Sequence, residues 1–430
     1  MSENQPREFD AVLGGNTPPP VTGVVLGGIE GVKRRLESES FNVRLQALSD
    51  ALNYQEAGLN LVIQALGEFS LQEKNSAARL LKRRGDEKGK QALLEFDPYL
   101  YFTKLDDWEV EEFNPEVGIT NPNITAFAID LEISRDKINT EYYNFLKSSS
   151  SSETKDILKI KYQSLEEEAT NKKFQVFIDA SRKSQIQGLH CYYHSDCFLD
   201  LFVEYKNHFS DLRALLWADA QYEPYRRTSK YKLSGNMSLI LENYPNLEVF
   251  HIRTSADGEY YRSYGGCLSF TKVKHENLKT LVIETGSLQQ LTMQQLIKLD
   301  LPNLEYLELW FGDAKLDANK LIKNIAEKFT KLKYLGIRTC QNSDDFAKAI
   351  VSFTLIERLI ILNFSMGDMT NKGAEYLLNC SAVNQLHTLD ISMNILSSNI
   401  VDKFSKFKCQ VYTHSQDEDE TGMRYWSLSE

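Results

Sequence analysis

Residues 304–310 read LEYLELW and residues 332–338 read LKYLGIR. Both place leucine or isoleucine at the first, fourth and sixth positions: Leu304/Leu307/Leu309 and Leu332/Leu335/Ile337. In an extended strand the last two anchors point to one face and the residue between them to the other. The phrase recurs at Leu247/Phe250/Ile252, Leu278/Leu281/Ile283 and Leu386/Leu389/Ile391, and with phenylalanine last at Leu359/Leu362/Phe364. From Phe250 onward the middle anchors follow at intervals of 31, 26, 28, 27 and 27 residues. One strand and one returning helix per interval predicts a single parallel sheet.

That phrase and period are those of a leucine-rich repeat solenoid, an α/β fold with parallel strands on the concave side and helices on the convex side. Two looser units precede the regular set, at Leu189–Tyr193 and Leu212–Trp217. The interval from Leu189 to Leu215 is 26, and that from Leu215 to Phe250 is 35, which places an insertion around QYEPYRRTSKYKLSG. Repeats close on related phrases, Tyr244-Pro245-Asn246-Leu247, Leu301-Pro302-Asn303-Leu304 and Phe329-Thr330-Lys331-Leu332, whose first residue plugs a helix end into the core. After Ile395 a capping helix and strand are expected, because an end repeat must hide its core. The acidic Asp417–Glu420 run reads as a solvated loop.

The outward residues of each strand can be written down as rows. Between the last two anchors stand Leu216, His251, Val282, Glu308, Gly336, Asn363 and Asp390. After the last anchor stand Ala218, Arg253, Glu284, Trp310, Arg338, Ser365 and Ser392. Before the middle anchor stand Ala214, Val249, Thr280, Tyr306, Tyr334, Ile361 and Thr388. Tyr306, Trp310 and Tyr334 therefore form an aromatic centre rimmed by Arg253, Glu284, Glu308 and Arg338. Trp, Tyr and Arg dominate interface energy once desolvated, so His251, Arg253, Glu284, Tyr306, Glu308, Trp310, Tyr334, Arg338 and Asp390 are the candidate protein-binding residues. The competing expectation is lateral stacking, with Arg253/Glu284 and Glu308/Arg338 as exposed ion pairs worth little each.

Before residue 174 the pattern changes. Residues 1–23 are rich in glycine and proline and read as a lead-in. Residues 24–118 carry short 3.6-period apolar stripes, such as Val25/Leu26/Ile29/Val32/Leu36, that suit stacked helical hairpins. Residues 119–173 read as a connector. In more detail, residues 97–125 are expected to wrap back onto the helices, and ITAFAIDLEI to be extended. Tyr142–Leu146 is expected to end a polar helix. The run Ser148–Ser152 is expected to form a flexible break, residues 153–172 a charged helix, and Val176-Phe177-Ile178 a strand opening the domain 174–430.

Two resemblances accompany these patterns. AVLGGNTPPPV, LGGIEGVKRRL, ALSDALNYQEAGLNLVIQAL and AARLLKRR, over residues 10–118, resemble a cyanobacterial N-terminal module of HEAT-like helical repeats, which implies partner docking. LELWFGDAKL, LKYLGIRTCQNSDD, LNFSMGDMTNKGAEYLL and LHTLDISMNILSS, over residues 174–430, resemble an uncharacterised bacterial leucine-rich repeat family. Two departures stand out. Asn363-Phe364-Ser365 replaces an Asp-Leu-Ser phrase, and the basic QYEPYRRTSKYK replaces an acidic, tryptophan-containing loop. The resemblance implies no activity, so it carries over no catalytic residue.

The bulk numbers narrow the class. A chain of 430 residues with net charge −11 lacks the positive field that non-specific nucleic-acid binding needs. It has no run of 18 apolar residues for a membrane span and no basic-then-apolar leader. Six cysteines without framework spacing fit a reduced, cytoplasmic setting. His190, Cys191, His194 and Cys197 are the one metal-like cluster, but alternation sends His190 and Cys191 to opposite faces, so no metal is expected. The paired glycines lack phosphate-loop spacing, no G-x-S-x-G elbow exists, and the basic runs at residues 33–35 and 82–84 read as solvated helix faces. The expectation is a monomeric, non-enzymatic scaffold without cofactor that binds a protein partner on its concave face, with no nucleic acid or membrane. The alternative is an enzyme or lyase-type accessory with its site in the cleft between domains. Titratable residues with shifted pKa converging on that cleft would mark it.

Overall fold

The computed structural model describes residues 28–121, 123–131, 152–192, 198–218, 235–254, 268–312, 314 and 316–416. The chain divides into two compact units, Met1–Phe102 and Thr103–Glu430.

The strands of the second unit are β1 (Val110–Glu112), β2 (Ala126–Asp130), β3 (Gly188–Tyr192), β4 (Ala214–Ala218), β5 (Gly235–Asn236), β6 (Val249–Thr254) and β7 (Leu268–Ser269), followed by β8 (Thr280–Thr285), β9 (Tyr306–Trp310), β10 (Tyr334–Arg338), β11 (Ile361–Asn363), β12 (Thr388–Asp390) and β13 (Gln410–Tyr412). Eleven of them form one sheet in chain order, β5 and β7 pairing apart. Every pairing in the long sheet is parallel. The register joins Phe250, Leu281, Leu307, Leu335, Leu362 and Leu389 side by side, so the six anchored phrases do lie in one parallel sheet. These anchors are fully buried and share one apolar core with the helices that return each strand.

One return shows how the sequence sets an element. Asp317 accepts from Lys320 N at 3.0 Å and starts the helix Ala318–Lys328. Ala318, Leu321, Ile322 and Ile325 recur at helical spacing and are the buried residues of that face. Each large one contributes roughly 1.5–3 kcal/mol by leaving water. Phe329 stops the helix with its ring in the core, and Leu332 N then bonds to Phe329 O at 3.1 Å. Ile322→Asp would place an unpaired charge in that core and break the unit.

Side chains also stitch the turns together. Asn246, Asn277 and Asn303 each precede an anchor leucine, and each donates to a carbonyl one strand–helix unit back: Ser210 O, Pro245 O and Glu276 O. Asp344 accepts from Thr370 N, Thr370 Oγ1 and Gly373 N, and so caps the helix Asn371–Leu378 of the next unit. A further signature lies just past the strands. Gly312, Thr339, Met366 and Met393 follow one another at 27-residue steps, and all four have positive φ, between 54° and 62°. At Gly312 a Cβ would fall 1.5 Å from Gly286 O, so glycine is obligatory there.

Several segments differ from expectation. Val176-Phe177-Ile178 is not a strand. It ends the helix Ser152–Ala180, because Phe174, Phe177 and Ile178 are spaced for one helical face and are buried, while Val176 points to solvent. Residues 97–125 do not simply wrap onto the helices: Pro98–Tyr101 forms a 3-10 turn, but Val110–Glu112 is the first strand of the sheet. The capping helix and strand after Ile395 are present as Ser398–Phe404 and β13. Tyr142–Leu146, most of the Ser148–Ser152 run, most of the insertion around QYEPYRRTSKYKLSG and the Asp417–Glu420 run lie outside the described residues.

The described part of the first unit carries helices Gly28–Leu36, Phe41–Ala51, Gln55–Glu68, Leu71–Arg84 and Glu87–Phe96 around their own core of Val32, Leu48, Val62, Ala77 and Leu81. Buried Glu73 closes a capping box with Ser70 and pairs with Arg44, which also donates to Ser38 O and Glu39 O. Among the described residues no helix is long and apolar enough to cross a membrane.

Candidate functional site

The register turns the outward rows into real neighbours. Leu216, His251, Val282 and Glu308 stand side by side on β4, β6, β8 and β9, and Glu308, Gly336, Asn363 and Asp390 continue the row to β12. Arg253 pairs with Glu284, and Trp310 with Arg338, in the row beside it.

Glu308 is the hub of a buried cluster. Tyr306 and Tyr334 both donate to its Oε2 at 2.7 Å. Trp310 Nε1 donates to Oε1 at 2.8 Å and Arg338 Nη1 to the same oxygen at 3.2 Å. The Arg338 guanidinium lies 4.4 Å from the Trp310 ring centroid, a cation–π contact. Its Nε donates to Ser365 Oγ at 3.1 Å and its Nη2 to Met366 Sδ at 3.1 Å. Gly336 makes room for the hub, since a Cβ there would meet Glu308 Cγ and the Tyr334 ring at 3.0 Å.

The electrostatics follow from this geometry. Burial opposes ionisation of Glu308, but the Arg338 charge and the three donors outweigh it and bring the pKa down to about 2. Burial, and then the adjacent Glu308 charge, push the Tyr306 phenol well above its usual range. A carboxylate offers about four acceptor positions, and four donors fill them here. Glu308 is therefore a fixed anion that braces its neighbours, and it has no free lone pair with which to take a proton.

A second network lies on β6 and β8. His251 Nε2 sits 3.0 Å and Arg253 Nε 2.8 Å from Glu284 Oε2. Burial opposes ionisation of Glu284 as well, yet His251 and Arg253 hold its carboxyl below the ordinary value. His190 follows on β3, its pKa lowered to about 4 by burial and then by the His251 charge, with Asp106 acting the other way. The expected ion pairs Arg253/Glu284 and Glu308/Arg338 both form, but they are not exposed: the two carboxylate side chains are 6% and 10% accessible. Loss of one partner then strands a buried charge.

Part of this face is covered by a segment that no strand phrase marks. Thr280 Oγ1 donates to Thr103 O at 2.5 Å, and the space over Gly188 is filled by Trp108. The segment Thr103–Trp108 thus lies across the row Gly188, Ala214, Val249 and Thr280, whose small residues leave it room. Asp390 stands apart from the Glu308 cluster and accepts from Ser392 N at 3.0 Å. Gly336, Ser365 and Met366 were not among the candidates. A glycine in mid-strand was the available signal for a close approach at Gly336.

Cys191 is buried in the core while His190 faces outward, as alternation requires, and His194 and Cys197 lie outside the described residues. Among the described residues no group of three or more His, Cys, Asp or Glu could hold a metal ion. Ser181 Oγ lies 2.9 Å from His208 Nε2, but Ser181 is buried and donates to Phe177 O at 2.7 Å, which suits a helix end.

Comparison with known protein families finds no match, and comparison with curated proteins finds none either. Among solved structures, the chain is similar to a Bacteroides fragilis protein whose crystal structure came from the Northeast Structural Genomics Consortium. The identity is 22%, the match covers 57% of this chain and 70% of that one, and the TM-score is 0.49.

Proposed function

We propose that the chain is a non-enzymatic, cytoplasmic protein-binding scaffold whose second unit is a leucine-rich repeat solenoid and whose first unit is a HEAT-like helical module. The anchored strands, the asparagine stitches and the 27-residue recurrence of left-handed turns support the repeat assignment. The partner binds the concave, outward face around Trp310 and Arg338. The observation that carries this is the saturated Glu308 hub. It commits a buried carboxylate to holding Trp310 and Arg338 in fixed positions, with Tyr306 and Tyr334, 5% and 1% accessible, bracing it from within, which is pre-organisation of interface residue types rather than acid–base chemistry.

The test is capture from native lysate, read by mass spectrometry, with wild type beside Met393→Asp and Trp310→Ala. Met393 is 41% exposed and the donors to Glu308 are Tyr306, Trp310, Tyr334 and Arg338, so substitution of Met393 leaves those bonds in place. A protein retained by wild type and lost by both variants supports the proposal. Equal capture by all three moves the site elsewhere, and capture of nothing overturns it.

A further inference from the structure

The Arg338 guanidinium carries five N–H groups. Among the described residues, its partners are Ser365 Oγ on Nε, Glu308 Oε1 on Nη1 and the Met366 thioether on Nη2. A thioether is a weak acceptor, and one N–H on each terminal nitrogen has no acceptor among the described residues. The side chain is nevertheless held from three sides, by Glu308, Ser365 and the Trp310 ring, and it remains 23% accessible. A fixed guanidinium with donors to spare matches the planar, two-oxygen geometry of a carboxylate.

Apolar contact surface lies beside it. Met366 and Met393 occupy equivalent left-handed positions in successive repeats, and Met393 is 41% exposed. Methionine adapts to varied apolar partners. Arg338 and Met393 belong to β10 and to the turn after β12, two strand spacings apart, or roughly 10 Å. An extended peptide covers that distance in about three residues.

We infer that Arg338 is the anchor for an acidic side chain of an extended peptide segment in the partner, with Met366 and Met393 receiving an apolar side chain about three residues away. This rests on the protein-binding function proposed above and names the chemistry of the partner. The clamp formed by Glu308, Ser365 and Trp310 presets the orientation of the guanidinium, so the peptide carboxylate meets donors already in place.

The experiment is selection of a random displayed peptide library on the full chain, followed by fluorescence polarisation with the enriched synthetic peptides. The proposal expects Asp or Glu with an apolar residue about three positions away. The Glu308→Gln/Arg338→Gln double variant removes both charges of the buried pair together and weakens binding about tenfold, the value of a charge-assisted hydrogen bond. Arg338→Lys keeps the charge but loses the fork, and falls between. Met393→Asp, on an exposed site, abolishes the apolar preference and decides the matter if the double variant does not fold. Enriched peptides without an acid, or binding unchanged in these variants, overturn the carboxylate anchor while leaving the protein-binding function intact. No enrichment on wild type overturns both.

Discussion

Tyr334 stacks on Tyr306 with ring centroids 3.7 Å apart and planes 4° apart, and both phenols donate to one carboxylate oxygen of Glu308. Two adjacent strands are thereby tied on the face opposite their leucines. The tie depends on an anion held in a poorly hydrated place, so it should respond to mutation and to acid in defined ways.

Glu308→Ala leaves Arg338 and two phenols without their acceptor. Loss of one member of a buried pair costs about 3–5 kcal/mol. Chemical denaturation should show that loss, with a smaller one for Glu308→Gln. A melt equal to wild type would show that the hub contributes nothing.

Glu308 should also set the acid limit of stability. Its folded pKa of about 2 lies below the ordinary 4.5, so its contribution is present above the higher value and is lost as pH falls through the window between them. The size is on the order of 3 kcal/mol. Denaturation between pH 5 and pH 2 should have a shallower pH slope in Glu308→Gln, and equal slopes would refute the assignment.

His190 acts in a higher window. Its folded pKa of about 4 lies below the ordinary 6.5, so the unfolded chain binds the proton first, and stability falls as pH drops from 6.5 toward 4. The His190 ring resonances should still report the neutral imidazole at pH 5. Titration near pH 6.5 in the folded protein would contradict the burial.

Gly336→Ala should lower stability by about 1–3 kcal/mol, because its Cβ overpacks Glu308 and Tyr334. Gly312→Ala should be worse, since its Cβ meets backbone. Thermal melts of the two variants order the effects.

Met393, at φ 55°, should accept glycine or asparagine within about 0.5 kcal/mol, whereas Met393→Ile should lose more, because a branched Cβ crowds a left-handed backbone. Melting temperatures of the three variants provide the check.

The leucine phrases made the strands, their parallel order and their register readable in advance, because a buried anchor at fixed spacing leaves little choice of face. Rows such as Trp310 beside Arg338 followed directly. The environment of those rows was not readable. The Glu308/Arg338 pair sits against stacked rings and the Arg253/Glu284 pair is largely buried, instead of both lying in water, and nothing in Thr103–Trp108 marks it as a cover. Val176-Phe177-Ile178 misled for a simpler reason: three apolar residues in a row fit a buried strand and the end of a helix equally well.

The left-handed turns at Gly312, Thr339, Met366 and Met393 carry a last implication. These four strand–helix units leave their strands through the same backbone bend, so the 27 residues between two such bends form an interchangeable cassette. Removing residues 340–366 joins one bend to its equivalent and brings Asp390 next to Gly336 without a shift of register. The length of the array can therefore change by whole units, while the cluster around Glu308 keeps the neighbours on which it depends only if β9 and β10 stay together.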